Sequence, residues 1–225
     1  MKALAAEGFG SFALVFAGTG AITVNEVSGG AVSHVGIALT FGLIVLALIY
    51  ALGEISGAHF NAAVTLGFCL AGRFPRRRVL PYLAAQVIGA LFASLLLRLL
   101  FLDNVTTLGA TRPTGPALQS FGLEIVLTLL LMFVILSVST GAKEKGVMAG
   151  VAVGAVIALE ALFAGPICGA SMNPGRSLAP AVVSLRLEYL WLYLIAPPLG
   201  AALAVLVCRC IHDPSCCSPA KEFSA

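Results

Sequence analysis

Six long apolar stretches alternate with short polar or glycine-rich breaks along the chain. They fall at about 3–25, 33–53, 79–101, 119–140, 146–164 and 188–210, and a helix needs about 20 mostly apolar residues to cross a bilayer. Two shorter apolar segments are left over. One follows Asn61 within "SGAHFNAAVTLG", and the other follows Asn173 within "CGASMNPGRSLAP". Each runs about 8–10 residues, which at 1.5 Å per residue is half of a hydrocarbon core about 30 Å thick. Such a segment enters a membrane without crossing it. The pattern predicts an all-α membrane protein with six transmembrane helices plus two re-entrant half-helices.

The order is helix, helix, half-segment, helix, and then the same again. Glu7 opens the first copy in "EGFGSFALVF" and Glu124 opens the second in "EIVLTLLLMF". Asn61 and Asn173 stand 112 positions apart, Glu7 and Glu124 117 apart. Repeat one covers about 1–110 and repeat two about 115–213 of a single transmembrane domain, residues 1–213, followed by a tail over 214–225. An odd number of crossings per copy inverts the second. Inverted repeats with paired interrupted segments point to a transport path at their interface.

Composition agrees with this reading. Of the 225 residues 60% are hydrophobic and 10% charged, where a soluble domain averages about 25% charged. A net charge of +3, with Lys and Arg not interleaved with aromatics, speaks against a nucleic-acid partner. The first 20 residues read as a transmembrane helix rather than a signal peptide, because the apolar run continues to Val24 and Glu7 interrupts its start. Lys2, Arg73, Arg76, Arg77, Arg78, Lys143, Lys145, Arg209 and Lys221 fall on one side of the predicted spans; Arg112 and Arg186 fall on the other. The positive-inside bias makes the first group cytoplasmic, with both termini; contact of the arginine cluster with anionic lipid is the alternative use. No Ser/His/Asp grouping, H-E-x-x-H motif or glycine-rich phosphate loop suggests an enzyme or a cofactor.

The two half-segments carry the chemistry. Irregular backbone survives at membrane depth only where it is buried in protein or lines a wet cavity. Asparagine is a good N-cap, and Pro174 suits the first helical position after Asn173. With the copies inverted, two helix N-termini meet near the midplane, each carrying roughly +0.5 of an elementary charge. Such opposed ends repel cations and protons. The two capping amides are predicted to hold one water oxygen between them, which breaks a proton relay and lets a neutral solute pass.

With "ISGAHFN", "GASMNPGRSLAPA" and the later "WLYLIAPPLGA", the chain resembles the aquaporin (major intrinsic protein) family over nearly its whole length. "LFAGPICGASMNPGRSL" is most similar to the nodulin-26-like branch and its bacterial relatives, which pass water, glycerol and neutral metalloid hydroxides. The family's Asn-Pro-Ala motifs stand here as Asn61-Ala62-Ala63 and Asn173-Pro174-Gly175. Ala62 lacks the preset φ of proline, and Gly175 is a poorer helix former than alanine by roughly 1 kcal/mol. The family's usual His in the loop before the first motif is Glu54. The resemblance implies a selectivity filter of Phe41, Ala161, Ala170 and Arg176, with alanine at 161 where water-selective relatives carry His. Such a ring is wider and more apolar than a water-only filter. Ser177 stands where glycerol specialists carry Asp, and Tyr193-Leu194 where Tyr-Trp is commoner. The resemblance also implies a cell-membrane homotetramer with one pore per subunit.

Further residues have expected roles. Glu7 and Glu124 are placed to accept hydrogen bonds from backbone N–H groups of the re-entrant loops. Glu160, next to Ala161, is read as support for the filter loop, with titration and gating as the alternative. His59 is placed in the cytoplasmic half of the pore, and His34 receives no role. Cys168, near the filter, is the expected site of block by thiol reagents. Cys208, Cys210, Cys216 and Cys217, with His212, form a weak soft-ligand cluster without structural-zinc spacing; a reduced tail without metal is the reading adopted. The sequence therefore predicts a passive channel for water and small uncharged solutes. A water-selective channel, a proton or ion leak permitted by the altered motifs, and a non-conducting scaffold are the alternatives.

Overall fold

The computed structural model describes residues 1–101, 107–139 and 147–211. The predicted tail over 214–225, with Cys216 and Cys217, lies outside the described residues. The described helices are α1 (Lys2–Val27), α2 (Ser33–Ser56), α3 (Ala62–Leu70), α4 (Arg76–Leu100), α5 (Ala117–Val138), α6 (Ala149–Cys168), α7 (Pro174–Ser184) and α8 (Leu190–Ile211). Six are long and apolar enough to cross a membrane. The other two, α3 with 9 residues and α7 with 11, are the half-helices.

The packing repeats about a pseudo-two-fold axis. α1 packs on α4 and α5 on α8; α1 meets α2 as α5 meets α6; α4 contacts α7 as α3 contacts α8. The two copies join through α2 and α6. Gly42 and Gly154 make that crossing possible: a Cβ at Gly42 would lie 2.5 Å from the Gly154 carbonyl oxygen, and one at Gly154 2.7 Å from that of Gly42. Small residues of this kind let helix backbones approach closely in membranes.

Two of the differences from the hydropathy boundaries have a physical reason. α4 begins at Arg76 and takes in Arg77 and Arg78, because charged residues at a helix end can extend toward the interface. α6 continues through Gly165 and Pro166 to Cys168, although proline removes one donor from the i→i−4 ladder. That lost donor would have served Leu162 O. The ring of His34 on α2 takes its place, with Nε2 2.7 Å from Leu162 O. Thr114 Oγ1 donates to Pro166 O at 2.8 Å, and Thr114 N to Ile167 O at 2.9 Å. The sequence reading gave His34 no role because its partner lies 128 positions away.

Candidate functional site: a pore between two capped half-helices

The re-entrant loops are built alike. α2 and α6 end on left-handed glycines, Gly57 at φ +86° and Gly169 at +85°. Ala58, Phe60, Ala170 and Met172 then take positive φ, a region that costs non-glycine residues on the order of 1 kcal/mol each. Two buried carboxylates hold this backbone. Glu7 accepts from His59 N at 2.9 Å and Phe60 N at 2.8 Å, and also from Ser56 Oγ and Gln86 Nε2, both at 2.7 Å. Glu124 accepts from Ser171 N at 2.7 Å and Met172 N at 2.8 Å. A tyrosine braces each loop: Tyr82 OH donates to Ser56 O at 3.0 Å, and Tyr193 OH to Cys168 O at 2.6 Å.

Each asparagine has two tasks. The Asn61 side-chain oxygen accepts from Ala63 N at 2.8 Å, and that of Asn173 from Gly175 N at 3.0 Å and Arg176 N at 3.3 Å. These are N-caps of α3 and α7, so Ala62 and Gly175 leave the caps intact. Asn61 Nδ2 also donates to Met172 O at 2.8 Å, and Asn173 Nδ2 to Phe60 O at 2.9 Å. The loops are thus stitched cap to cap. An amide carries two N–H groups. One of each is committed to this stitch, which leaves one per asparagine for a molecule in the pore.

Both asparagines border a narrow cavity with about 50 Å³ for the centres of water-sized molecules. A single water needs about 10–15 Å³ on that measure, so this is room for a short file of waters. Aliphatic side chains such as Val45, Val64, Leu131 and Val153 make much of the wall. A second, wider cavity of about 490 Å³ opens beyond it. Four residues line both: Phe41, Ala161, Ala170 and Arg176. Arg176 is 3% exposed. Its Nη1 donates to Gly109 O at 2.9 Å, and its Cζ lies 5.0 Å from the centre of the Phe41 ring. Its Nε is buried with no hydrogen-bond partner among the described residues.

His59 borders the narrow cavity. Its ring lies against Phe68 and Phe74, each 4.8 Å away between centres, and Tyr82 at 5.3 Å. Its Nδ1 is 3.1 Å from Thr65 Oγ1. That hydroxyl donates to Asn61 O and accepts from Gln86 Nε2. Its proton is therefore spent, His59 Nδ1 must be the donor, and Nε2 is left as an acceptor.

Two side chains differ from their expected roles. Both Glu160 oxygens are buried without a hydrogen-bond partner among the described residues, while Glu124 takes the N–H groups of the second loop. Glu160 therefore does not hold that loop by hydrogen bonds. Uncompensated burial of a carboxyl group is costly, so Glu160→Met, which removes the unpartnered oxygens at similar volume, is expected to leave the fold intact and to raise the thermal unfolding midpoint in detergent by a few degrees, the shift of about 1 kcal/mol; a lowered midpoint would give Glu160 a supporting role. The Cys168 thiol is fully buried and donates to Ala164 O at 3.4 Å. It borders neither cavity, so it is not positioned to meet a reagent in the pore. On α8, Cys208 is buried and Cys210 exposed. Among the described residues no three His, Cys, Asp or Glu side chains are grouped to hold a metal.

Comparison with known proteins agrees with this architecture. The family model described as Major intrinsic protein matches residues 1–208. The chain belongs to the major intrinsic protein, or aquaporin, family. It is 50% identical over 202 residues to Aquaporin NIP1-4 of Oryza sativa subsp. japonica, covering 90% of this chain and 74% of that protein. It is 44% identical over 201 residues to Nodulin-26 of Glycine max, covering 89% and 74%. In three dimensions it is similar to the aquaglyceroporin from Plasmodium falciparum, with a TM-score of 0.83 and 25% identity over 91% of this chain and 93% of that one. This is an aquaporin of the nodulin-26-like type, with the multi-pass membrane fold of a channel.

Proposed function

We propose that this aquaporin is a passive channel for water and small uncharged solutes, namely glycerol, urea-like molecules and neutral metalloid hydroxides such as arsenous or boric acid. The observation that carries the reading is the four-residue boundary between the wide and the narrow cavity, where Arg176 faces one aromatic and two alanine side chains. As a filter, Phe41, Ala161, Ala170 and Arg176 would combine room, a greasy wall and one fixed cation. Arg176 lines both cavities with only its Nη1 tied to Gly109 O, and its guanidinium offers further N–H donors to a solute hydroxyl. Below it, the remaining amide N–H groups of Asn61 and Asn173 offer two more donors, and His59 Nε2 offers an acceptor.

Ion exclusion follows from the same parts. Cations meet Arg176 and then two helix N-termini, each worth roughly half a positive charge. Anions meet an aliphatic wall that cannot replace their hydration, a cost of several kcal/mol or more. We place the protein in the cell membrane with both termini cytoplasmic, from the Lys and Arg bias of its loops, and as a homotetramer with one pore per subunit.

Arg176→Ala tests the filter. It removes the guanidinium and widens the boundary, so urea and larger polyols are expected to cross about tenfold faster, a barrier change near 1.4 kcal/mol, and ion conductance is expected to rise. Stopped-flow swelling of proteoliposomes and voltage clamp of expressing cells read these. An unaltered solute profile in a folded variant would remove Arg176 from the path.

A further inference from the structure

We propose that the wide mouth of the pore holds a binding site for small oxyanions of the phosphate or sulfate type, built by Arg112 and Arg186. Arg112 lies in the connection between α4 and α5, and Arg186 in that between α7 and α8. The two thus come from different repeats, yet both line the wide cavity and also a smaller cleft that adjoins it. Both are exposed, and neither side chain has a hydrogen bond or an ion pair among the described residues. The hydroxyl-bearing Thr107 and Thr111 line the same two cavities, and Tyr189 lines the cleft.

Two considerations set these arginines apart from ordinary surface charge. They lie on the face opposite the arginine-rich loop over 73–78, where the topology bias disfavours Lys and Arg. Passage of neutral solutes gives them no task either. Among the described residues, the charged groups that line the mouth are Arg112, Arg176 and Arg186 against Glu26 and Glu188, three positive against two negative. Of the three, Arg176 is already bound to Gly109 O, and the His34 ring is engaged by Leu162 O. Two open guanidinium forks on one cleft suit a tetrahedral oxyanion, which accepts paired N–H donors. The two glutamates keep the site weak and salt-sensitive. A bound oxyanion would sit above the filter and obstruct the mouth, so the site would let an external anion throttle the channel. A free oxyanion and a lipid phosphate headgroup offer the same chemistry.

The effect on flux rests on the channel reading, whereas binding does not, so the test measures both. Phosphate binding to the detergent-solubilised full-length protein is read by ³¹P line broadening, for the natural chain and for Arg112→Gln/Arg186→Gln. Water flux is read in cells or right-side-out vesicles with about 20 mM external phosphate, roughly twenty times a millimolar Kd, against chloride at equal ionic strength, each variant normalised to its own chloride value. The expected result is broadening that falls at least fivefold in the double variant, and a flux reduced at least twofold by phosphate only in the natural chain. A further arm replaces free phosphate by phosphatidylglycerol in otherwise phosphatidylcholine vesicles. Slowing in that arm alone, lost in the double variant, would assign the site to a headgroup. Equal broadening in both chains, or none in either together with no slowing by phosphatidylglycerol, would overturn the proposal. Phosphate binding in a protein that shows no flux under any condition would uphold the site and contradict the channel reading instead.

Discussion

Glu7→Ala is expected to abolish the folded channel. Glu7 is fully buried and accepts four hydrogen bonds, two of them from the loop N–H groups of His59 and Phe60. Neither N–H has another partner in view, and each buried donor left unsatisfied costs about 1–3 kcal/mol. The loop they belong to already carries Ala58 and Phe60 at positive φ, so it has a ready route to relax. Ser56 Oγ and Gln86 Nε2 lose a charged acceptor in the same change. The sum is on the order of 4–6 kcal/mol, against a total stability of about 5–15. Size-exclusion chromatography after detergent extraction is expected to recover little monodisperse protein. Glu7→Gln keeps one acceptor oxygen but turns N–H toward N–H, and is expected to give a partial loss. Normal yield and melting of Glu7→Ala would show that the loop is held without Glu7, by Tyr82 and the two asparagine stitches.

Ala161→His carries the second large effect, on selectivity rather than folding. Ala161 borders both cavities, so an imidazole there enters the boundary proposed as the filter. It narrows the opening and adds a polar group opposite the Phe41 wall. Water loses little, because it is small and finds a new partner. Glycerol loses both room and apolar contact. The glycerol-to-water permeability ratio is expected to fall about tenfold or more, equivalent to a barrier of at least 1.4 kcal/mol. Stopped-flow light scattering on one vesicle batch gives both permeabilities. An unchanged ratio in a folded variant would move the filter away from Ala161.

The parts of this molecule that follow local rules were legible in the chain. Asn173 with Pro174 reads as a cap and first turn, and a 9–11-residue apolar segment is too short to span. What was not legible lies in partners far apart in sequence. The hydropathy pattern ends the fifth span at about 164, four residues before α6 does, and nothing nearby marks His34 as the group that serves Leu162 O and lets the helix run through Pro166. The asparagine amides were predicted to hold a pore water between them, but nothing in the chain marked that each gives its other N–H to the carbonyl that precedes its counterpart. Gln86 drew no attention, yet it joins Glu7 to Thr65 and through it fixes the tautomer of His59. Glu160 was read as support because it adjoins Ala161, but neighbours on a helix point about 100° apart, and its carboxyl found no partner. In each case the pattern gave the element, and the hydrogen-bond arithmetic of a buried site gave the role.

The central claim is that neutral solutes pass between two stitched half-helices while charge does not. Proteoliposomes of the full-length chain, loaded with a pH-sensitive dye and mixed with hyperosmotic glycerol in a stopped-flow instrument, report water, glycerol and proton movement in one record. The account requires fast shrinkage and then glycerol-driven reswelling, both well above empty liposomes, with an imposed pH gradient that decays no faster than in those controls. A pH gradient that collapses on the timescale of water flow, or vesicles no more permeable than empty ones, would contradict it.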